Sequence, residues 1–144
     1  MRSKEFLNTS LGILGLGFSG FAAYVAFSLS AIHLGGTPTC PIIFDMPACV
    51  IVFVCYVLIT IAWGMVLANK QGRWAQIFFT IGFVPVFLLA LIGSTGEILG
   101  FASCPVTETG FPKCFISLIF LMALAVGWIA LSVSNKKRNL KLKM

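Results

Sequence analysis

Cysteines are the residues of this 144-residue chain whose type and spacing most clearly offer chemistry, and there are five of them. Four form two spaced pairs, Cys40 with Cys49 and Cys104 with Cys114, in C-x8-C and C-x9-C arrangements. Thiols spaced in this way form disulfides in an oxidising compartment, exchange electrons with other thiols, or bind soft metals. The fifth, Cys55, lies six residues beyond Cys49 and belongs to neither pair. Which role applies depends on the elements that position the pairs.

Those elements are long apolar stretches. The chain is 59% hydrophobic and 10% charged, with a mean hydropathy of +1.04. Soluble domains are roughly 45–50% apolar and 25% charged, so a water-soluble enzyme is excluded. A helix of about 20 apolar residues crosses a bilayer, and open strands would leave backbone groups unsatisfied in lipid. The sequence predicts one membrane domain over residues 1–144, with helical spans near Phe6–Ile32, Ala48–Ala68, Trp74–Leu99 and Phe115–Ser134.

The basic residues predict an orientation. Nine of the ten Lys and Arg residues lie at the N-terminus, between the second and third spans, or in the tail over residues 135–144. Lys113 alone lies toward the other face. The positive-inside rule therefore predicts cytoplasmic termini and two exoplasmic loops, near residues 33–47 and 100–113, in a bacterial cytoplasmic (inner) membrane. The basic tail suits anionic lipid headgroups, and we expect no nucleic-acid partner because no recognition motif accompanies it.

The two exoplasmic loops and their flanking helices repeat one pattern. Each loop opens with Cys-Pro and closes with Pro-x-Cys at the start of the next span, and a tryptophan (Trp63 or Trp128) follows fourteen residues later. Two hairpins of the same orientation are naturally related by an axis along the membrane normal. We therefore predict an all-α bundle of four transmembrane helices, made from two tandem pseudo-symmetric hairpins over residues 6–68 and 74–134.

The first span carries a narrow face of small residues. Such faces let membrane helices approach closely and pack by dispersion contacts. We predict that this face packs inside the bundle rather than in a dimer interface. Its members follow a 3-4-3-4 spacing and are Gly12, Gly15, Ser19, Ala22 and Ala26.

His33 and Glu97 occupy equivalent places in the repeat, seven residues before the first cysteine of their loops, and Ser30 and Ser94 both precede it by ten. His33 is the only histidine, and Glu97 is the only acid within an apolar span. Ionisable groups at membrane depth are usually functional or paired, although solvation at the interface also explains groups at helix ends. If the first and third helices meet, we expect a His33–Glu97 contact at the mouth of the bundle. Such a pair moves protons in thiol or quinone chemistry, or completes a metal shell.

The spacing leaves the cysteine pairing open. Bridges within each loop, Cys40–Cys49 and Cys104–Cys114, are the obvious pairing, and bridges between the loops are the symmetric alternative. Bridges within the loops would stabilise the fold by about 2–3 kcal/mol each in the chain-entropy picture. Two exoplasmic pairs would also suit electron relay by thiol–disulfide exchange. Thiolates with His33 would suit a soft metal, but the spacings match no standard C-x2-C site, and we predict no metal centre.

Four spans with cytoplasmic termini and a cysteine pair in each exoplasmic loop resemble the layout of the DsbB and vitamin K epoxide reductase-type thiol oxidoreductases. The resemblance covers most of the chain and rests on its topology and on the pairs Cys40/Cys49 and Cys104/Cys114. The chain departs from those families because it has no C-x-x-C motif and no arginine beside the second span to hold a quinone. The resemblance implies membrane thiol–disulfide chemistry with a quinone cofactor.

The predicted function is therefore thiol–disulfide or quinone-linked redox chemistry. Its candidate redox groups are Cys40, Cys49, Cys104 and Cys114, with His33 and Glu97 as a proton-transfer pair. The expected partners are the lipid bilayer and an exoplasmic thiol protein or a membrane complex. The alternative is a non-enzymatic four-span protein with structural disulfides, either a complex subunit or a carrier of a small solute or metal. A carrier would need a polar path, and the spans offer few polar groups for one.

Overall fold

Four long helices make up nearly all of the fold. The computed structural model describes residues 2–37, 40–68, 70, 72–101, 104 and 106–144. All four helices are long and apolar enough to cross a membrane, in agreement with the predicted all-α membrane protein. The elements in chain order are α1 (Arg2–Leu34), β1 (Ile42–Ile43), β2 (Met46–Pro47), α2 (Ala48–Leu67), α3 (Arg73–Leu99) and α4 (Lys113–Lys143).

The terminal helices extend beyond the predicted spans. α1 begins at Arg2 instead of Phe6, and α4 continues through the basic tail to Lys143. The continuation of α4 follows from composition, because residues 128–143 contain no glycine or proline and are rich in Leu, Lys and Arg, which favour helix. Apolarity therefore predicted the membrane-crossing part of each helix and missed its polar extensions.

Glycines end two of the helices, and prolines precede the other two. Gly36 follows α1 with φ 101°, and Gly100 caps α3 with φ 80°, a left-handed conformation that disfavours other residues. Pro47 and Pro112 cap the starts of α2 and α4 with nearly the same backbone angles, φ −65° and ψ 127° against φ −66° and ψ 126°. These residues delimit loop 1 (residues 35–47) and loop 2 (residues 100–112). Both loops lie at what we term the disulfide end of the bundle. The start of α1, the connection between α2 and α3, and the end of α4 form its basic end.

The helices pack in a closed ring. α1 contacts α2, α2 contacts α3, α3 contacts α4, and α4 returns to α1. α1 and α3 are therefore diagonal to one another, and side chains of α2 and α4 meet across the centre. The Trp63 and Trp128 rings lie edge to face with centroids 5.4 Å apart, and Phe79 of α3 stacks on Trp128 at 4.2 Å. Trp63 is 1% exposed, so the two repeated tryptophans are core residues.

Small residues permit the closest helix contacts. Gly12 of α1 lies against Leu67 of α2, and Gly15 lies against the Trp63 ring. Ser19 and Ala26, further along the same face, are buried. The small-residue face of the first span therefore packs inside the bundle, as predicted. A second close approach joins α2 and α3, where a methyl group on Gly82 would lie 2.6 Å from the carbonyl oxygen of Cys55.

Candidate functional site

The cysteines pair within each loop. Cys40 is joined to Cys49 and Cys104 to Cys114, with Cα atoms 6.0 Å and 6.2 Å apart. The bridges between loops, which spacing alone allowed, are therefore not formed. Each bridge connects a loop residue to the first turn of the following helix, because Cys49 belongs to α2 and Cys114 to α4. A helix N-terminus stabilises a thiolate, so Cys49 and Cys114 would be the better leaving groups if their bridges opened.

Loop 1 folds as a small hairpin. β1 and β2 pair antiparallel, with Ile43 opposite Met46, and the backbone N–H of Ala48 donates to the Pro41 carbonyl at 2.9 Å. The two turn residues, Phe44 and Asp45, both have positive φ, at 51° and 61°. Two-residue hairpin turns favour this backbone, but glycine and asparagine adopt it at lower cost. The Phe44 side chain is 96% exposed, so it contributes almost no packing to the hairpin.

Loop 2 is held by an isolated bridge and by the side chain of Thr107. Val106 pairs antiparallel with Pro112. The backbone N–H of Thr107 donates to the Phe111 carbonyl at 2.9 Å, and the Thr107 hydroxyl accepts the Phe111 N–H at 3.1 Å. Gly110, with φ 81°, closes the turn. These contacts order the part of loop 2 over residues 106–112, which leads into α4 and its disulfide.

His33 contacts the cysteine pair of its own hairpin. Its ring Nδ1 accepts the backbone N–H of Cys40 at 3.4 Å. The imidazole is half-buried at the last turn of α1. The Gly35 and Gly36 amides close that turn by donating to the Ala31 and His33 carbonyls. A basic side chain is therefore held one hydrogen bond away from the Cys40–Cys49 bridge.

Glu97 lies half-buried on the last turns of α3, at the same end of the bundle. Its Oε2 atom is buried and has no hydrogen-bond partner among the described residues, and neither has Oγ of Ser94 one turn earlier. Ser94 is 4% exposed. Buried polar atoms without partners are rare in native proteins and call for a reason.

The structure brings His33 and Glu97 to the same end but not into a hydrogen bond or an ion pair with each other. His33 and Glu97 occupy equivalent positions in the sequence repeat, but their helices, α1 and α3, are diagonal in the ring. Equivalent positions are therefore not neighbours in the bundle. The predicted proton-transfer pair thus remains a prediction. Each residue instead lies near the disulfide of its own hairpin.

The second disulfide rests directly on α3. A methyl group on Gly93 would lie 3.0 Å from Sγ of Cys114 and 3.3 Å from Sγ of Cys104. Gly93 and Glu97 are four residues apart and share one helix face. The sequence analysis did not identify Gly93. Its place one turn before Glu97, the only acid within an apolar span, could have indicated a close contact there.

The lone thiol of Cys55 is buried in α2 and unpaired. Its hydrophobic neighbours make it a small core residue. Tyr56 beside it places its hydroxyl 3.3 Å from Oγ of Ser117 on α4, a polar contact between diagonal helices that the sequence did not indicate.

No three His, Cys, Asp or Glu side chains are grouped as metal ligands in the part of the chain that the structure describes. One lipid-facing cleft, lined by residues 73–81 of α3, begins at Arg73 near the basic end. Gly93 lies twelve residues beyond Ile81, the nearer end of this cleft, which is about 18 Å along a helix. The cleft is therefore separated from both disulfides.

Comparison with protein-family models, with curated proteins and with solved structures returned no match to this chain. The function therefore rests on the geometry of the two loops.

Proposed function

We propose that this chain is a membrane thiol–disulfide oxidoreductase linked to a quinone. The observation that supports it is the pairing, in each hairpin, of a disulfide with an ionisable side chain near it. His33 hydrogen-bonds the Cys40 amide, and Glu97 lies one turn from the glycine that receives Cys104–Cys114. Thiol–disulfide exchange moves protons as well as electrons, so acid or base groups beside a bridge suit this chemistry better than a purely mechanical role.

The proposed reaction oxidises exoplasmic dithiols. A substrate thiolate attacks a loop disulfide, whose S–S bond breaks, and the electron pair goes to the departing cysteine sulfur. The second substrate thiol then displaces the remaining cysteine, leaving an oxidised substrate and two cysteine thiols. A membrane quinone accepts those two electrons and two protons, becomes a quinol and regenerates the disulfide. Cys49 and Cys114, as first-turn residues of α2 and α4, are the departing groups we assign.

This proposal includes the orientation and symmetry predicted from the sequence. The loops face the exoplasm of a bacterial cytoplasmic membrane, and both termini are cytoplasmic, because the basic residues concentrate at one end. The hairpins over residues 6–68 and 74–134 act as two related units around an axis along the membrane normal. The partner is an exoplasmic thiol protein or a membrane complex that presents a dithiol.

A second candidate function is a complex subunit in which both disulfides are structural. It is favoured by the way the bridges connect ordered loops to helix starts, where each would stabilise the fold by about 2–3 kcal/mol. A solute carrier is less suited, because the described span hydroxyls Ser28, Ser30 and Thr60 donate to carbonyls of their own helices and line no path.

Differential alkylation in native membranes tests the proposal. Membranes are treated with a mild dithiol and then with a soluble quinone, and each cysteine is scored as thiol or disulfide by mass spectrometry. We expect at least one bridge to open in dithiol and to close again in quinone. Cys55 is the internal control, because it should score as a thiol throughout. Two bridges that stay closed in dithiol, while unfolding exposes and opens both, would establish the structural alternative.

A further inference from the structure

We propose that Glu97 is the proton donor and acceptor of the Cys104–Cys114 disulfide, so that opening of this bridge is coupled to proton transfer inside the bundle. The inference rests on the proposed redox function and assigns one residue and one bridge within it. Three observations converge on a single turn of α3: the site where the disulfide rests, a buried carboxylate oxygen without a partner, and a buried hydroxyl without a partner.

The first observation is the position of the Cys104–Cys114 disulfide on α3. Both sulfurs lie close to Gly93, where even a methyl group would be 3.0 Å from one and 3.3 Å from the other. Residues four apart on a helix have Cβ atoms about 5–6 Å apart, so Glu97 lies one turn further along the same face. Side chains on a helix lean toward its N-terminus. From this general tendency we infer that the Glu97 carboxyl group leans back toward the turn on which the disulfide rests.

The second and third observations are the two buried oxygens without hydrogen-bond partners, on Ser94 and Glu97. Ser30 of α1 donates its hydroxyl to the Ala26 carbonyl of its own helix at 2.8 Å. Ser94, the repeat equivalent of Ser30, makes no such bond although it is 4% exposed, and Ser132 of α4 is a second buried hydroxyl without a partner. Ser94 and Glu97 are three residues apart and hence adjacent on the helix surface. A buried hydroxyl and a buried carboxylate oxygen beside a disulfide form a polar site suited to a proton that moves between oxygen and sulfur.

The other titratable groups of the neighbouring elements do not pair with the Glu97 carboxyl group. Outside the disulfides and the basic end, the titratable groups on the helices that contact α3 are Cys55 and Tyr56 of α2 and Lys113 of α4, and loop 2 adds Glu108. Tyr56 is engaged with Ser117. None of these groups forms a hydrogen bond or an ion pair with the Glu97 carboxyl group. The carboxyl group is therefore not committed to a structural salt bridge.

The thiolate of an exoplasmic dithiol attacks Sγ of Cys104, the S–S bond breaks, and Sγ of Cys114 takes the electron pair together with the proton of the Glu97 carboxyl group. The remaining substrate thiol gives its proton to the Glu97 carboxylate and attacks the mixed disulfide. Cys104 departs as a thiolate and takes from water the proton that the first substrate thiol had released. The substrate ends oxidised, both cysteines end as thiols, and Glu97 is again protonated.

The experiment measures how fast dithiothreitol opens each bridge in membranes, at one fixed pH, for the unaltered protein, E97Q and E108Q. Rates are expressed per dithiothreitol thiolate. In E97Q the Cys104–Cys114 rate should be about tenfold or more lower than in the unaltered protein, since general acids contribute at least that much. E108Q removes the same charge from loop 2 and should match the unaltered protein.

The Cys40–Cys49 bridge in the same molecules is the second control, and its rate should not change in E97Q. E97D retains a carboxyl group and should open Cys104–Cys114 faster than E97Q does, which separates proton transfer from a folding defect. An unchanged Cys104–Cys114 rate in E97Q would overturn the assignment while leaving the redox function standing, as would equal slowing of both bridges. Bridges that resist dithiothreitol altogether in the folded protein would overturn the redox function itself.

Discussion

Gly82 shows how one residue determines the spacing of two helices. Its missing side chain lets α3 approach the α2 backbone, where an added methyl group would lie 2.6 Å from the Cys55 carbonyl oxygen and 3.0 Å from the Ile59 side chain. A carbonyl oxygen cannot rotate away as a side chain can, so the helices would have to separate. We expect Gly82→Ala to lower the free energy of unfolding by about 1–3 kcal/mol, the usual cost of overpacking.

The matched control is Gly17→Ala, because a methyl group on Gly17 would meet nothing within 4 Å. Alanine is a better helix former than glycine, so this variant should be neutral or more stable by up to about 1 kcal/mol. Thermal unfolding of both variants in the same detergent gives the comparison. A Gly82→Ala variant as stable as Gly17→Ala would show that α2 and α3 are not in contact at this point.

Residue types and spacing predicted which residues belong to the disulfide end, but not how they are partnered. The repeat equates His33 with Glu97 by position along the chain, and position along a helix does not determine which helices are neighbours. Packing made α2 and α4 the central pair, through Trp63 and Trp128, and separated α1 from α3. The same limit applies to the disulfides, since the spacing allowed two connectivities and only the loop folds distinguish them.

At the scale of elements, the hairpin of loop 1 carries backbone strain that the sequence does not relieve. Phe44 and Asp45 both occupy the left-handed region, at about 1–2 kcal/mol for each residue other than glycine. Asn-Gly is the preferred pair for such a turn. We therefore expect the double variant Phe44→Asn/Asp45→Gly to slow backbone amide exchange at Ile43 and Met46 by roughly tenfold, or about 1.4 kcal/mol in local stability.

Thr37→Gly is the comparison for that variant, because Thr37 lies in the same loop without a positive φ. Glycine there relieves no strain and should leave amide exchange in the hairpin unchanged or faster. Hydrogen exchange followed by mass spectrometry reads both variants. Faster exchange in the double variant would mean that the Phe44 side chain holds the hairpin through a contact outside the chain, such as the membrane surface.

The elements themselves were the most predictable part of the fold. Long uncharged runs determine where lipid-crossing helices form, so the four spans agree with the sequence to within a few residues at most ends. The loops were less predictable, because β1 and β2 together comprise four residues and depend on a turn, Phe44-Asp45, that has no common turn residue at its first position. The Pro-x-Cys pattern, with Pro47 and Pro112, did indicate the starts of α2 and α4 in advance.

At the scale of the whole molecule, the arrangement of charge predicts how the bundle sits in its membrane. The ring of helices places the start of α1, the connection between α2 and α3 and the end of α4 together, and nine of the ten Lys and Arg residues lie there. Lys113 is the exception at the disulfide end, where Asp45, Glu97 and Glu108 also lie. Positive residues near span ends are retained in the cytoplasm, so this asymmetry predicts a cytoplasmic basic end and exoplasmic disulfides.

Reporter fusions test that orientation directly. A reporter that is active only in the cytoplasm should be active after Met144 and inactive when inserted at Thr109, and a reporter that needs the oxidising exoplasm should show the reverse.

Replacing Lys70 and Arg73 with glutamine removes the charge between the second and third spans. We expect this change alone to leave the C-terminal reporter unchanged, because five basic residues remain in the tail. Exoplasmic activity of the Met144 fusion in the unaltered chain would contradict the orientation. It would also place both disulfides in a reducing compartment, where glutathione and thioredoxin keep thiols reduced, and the proposed oxidation of exoplasmic dithiols would fall with it.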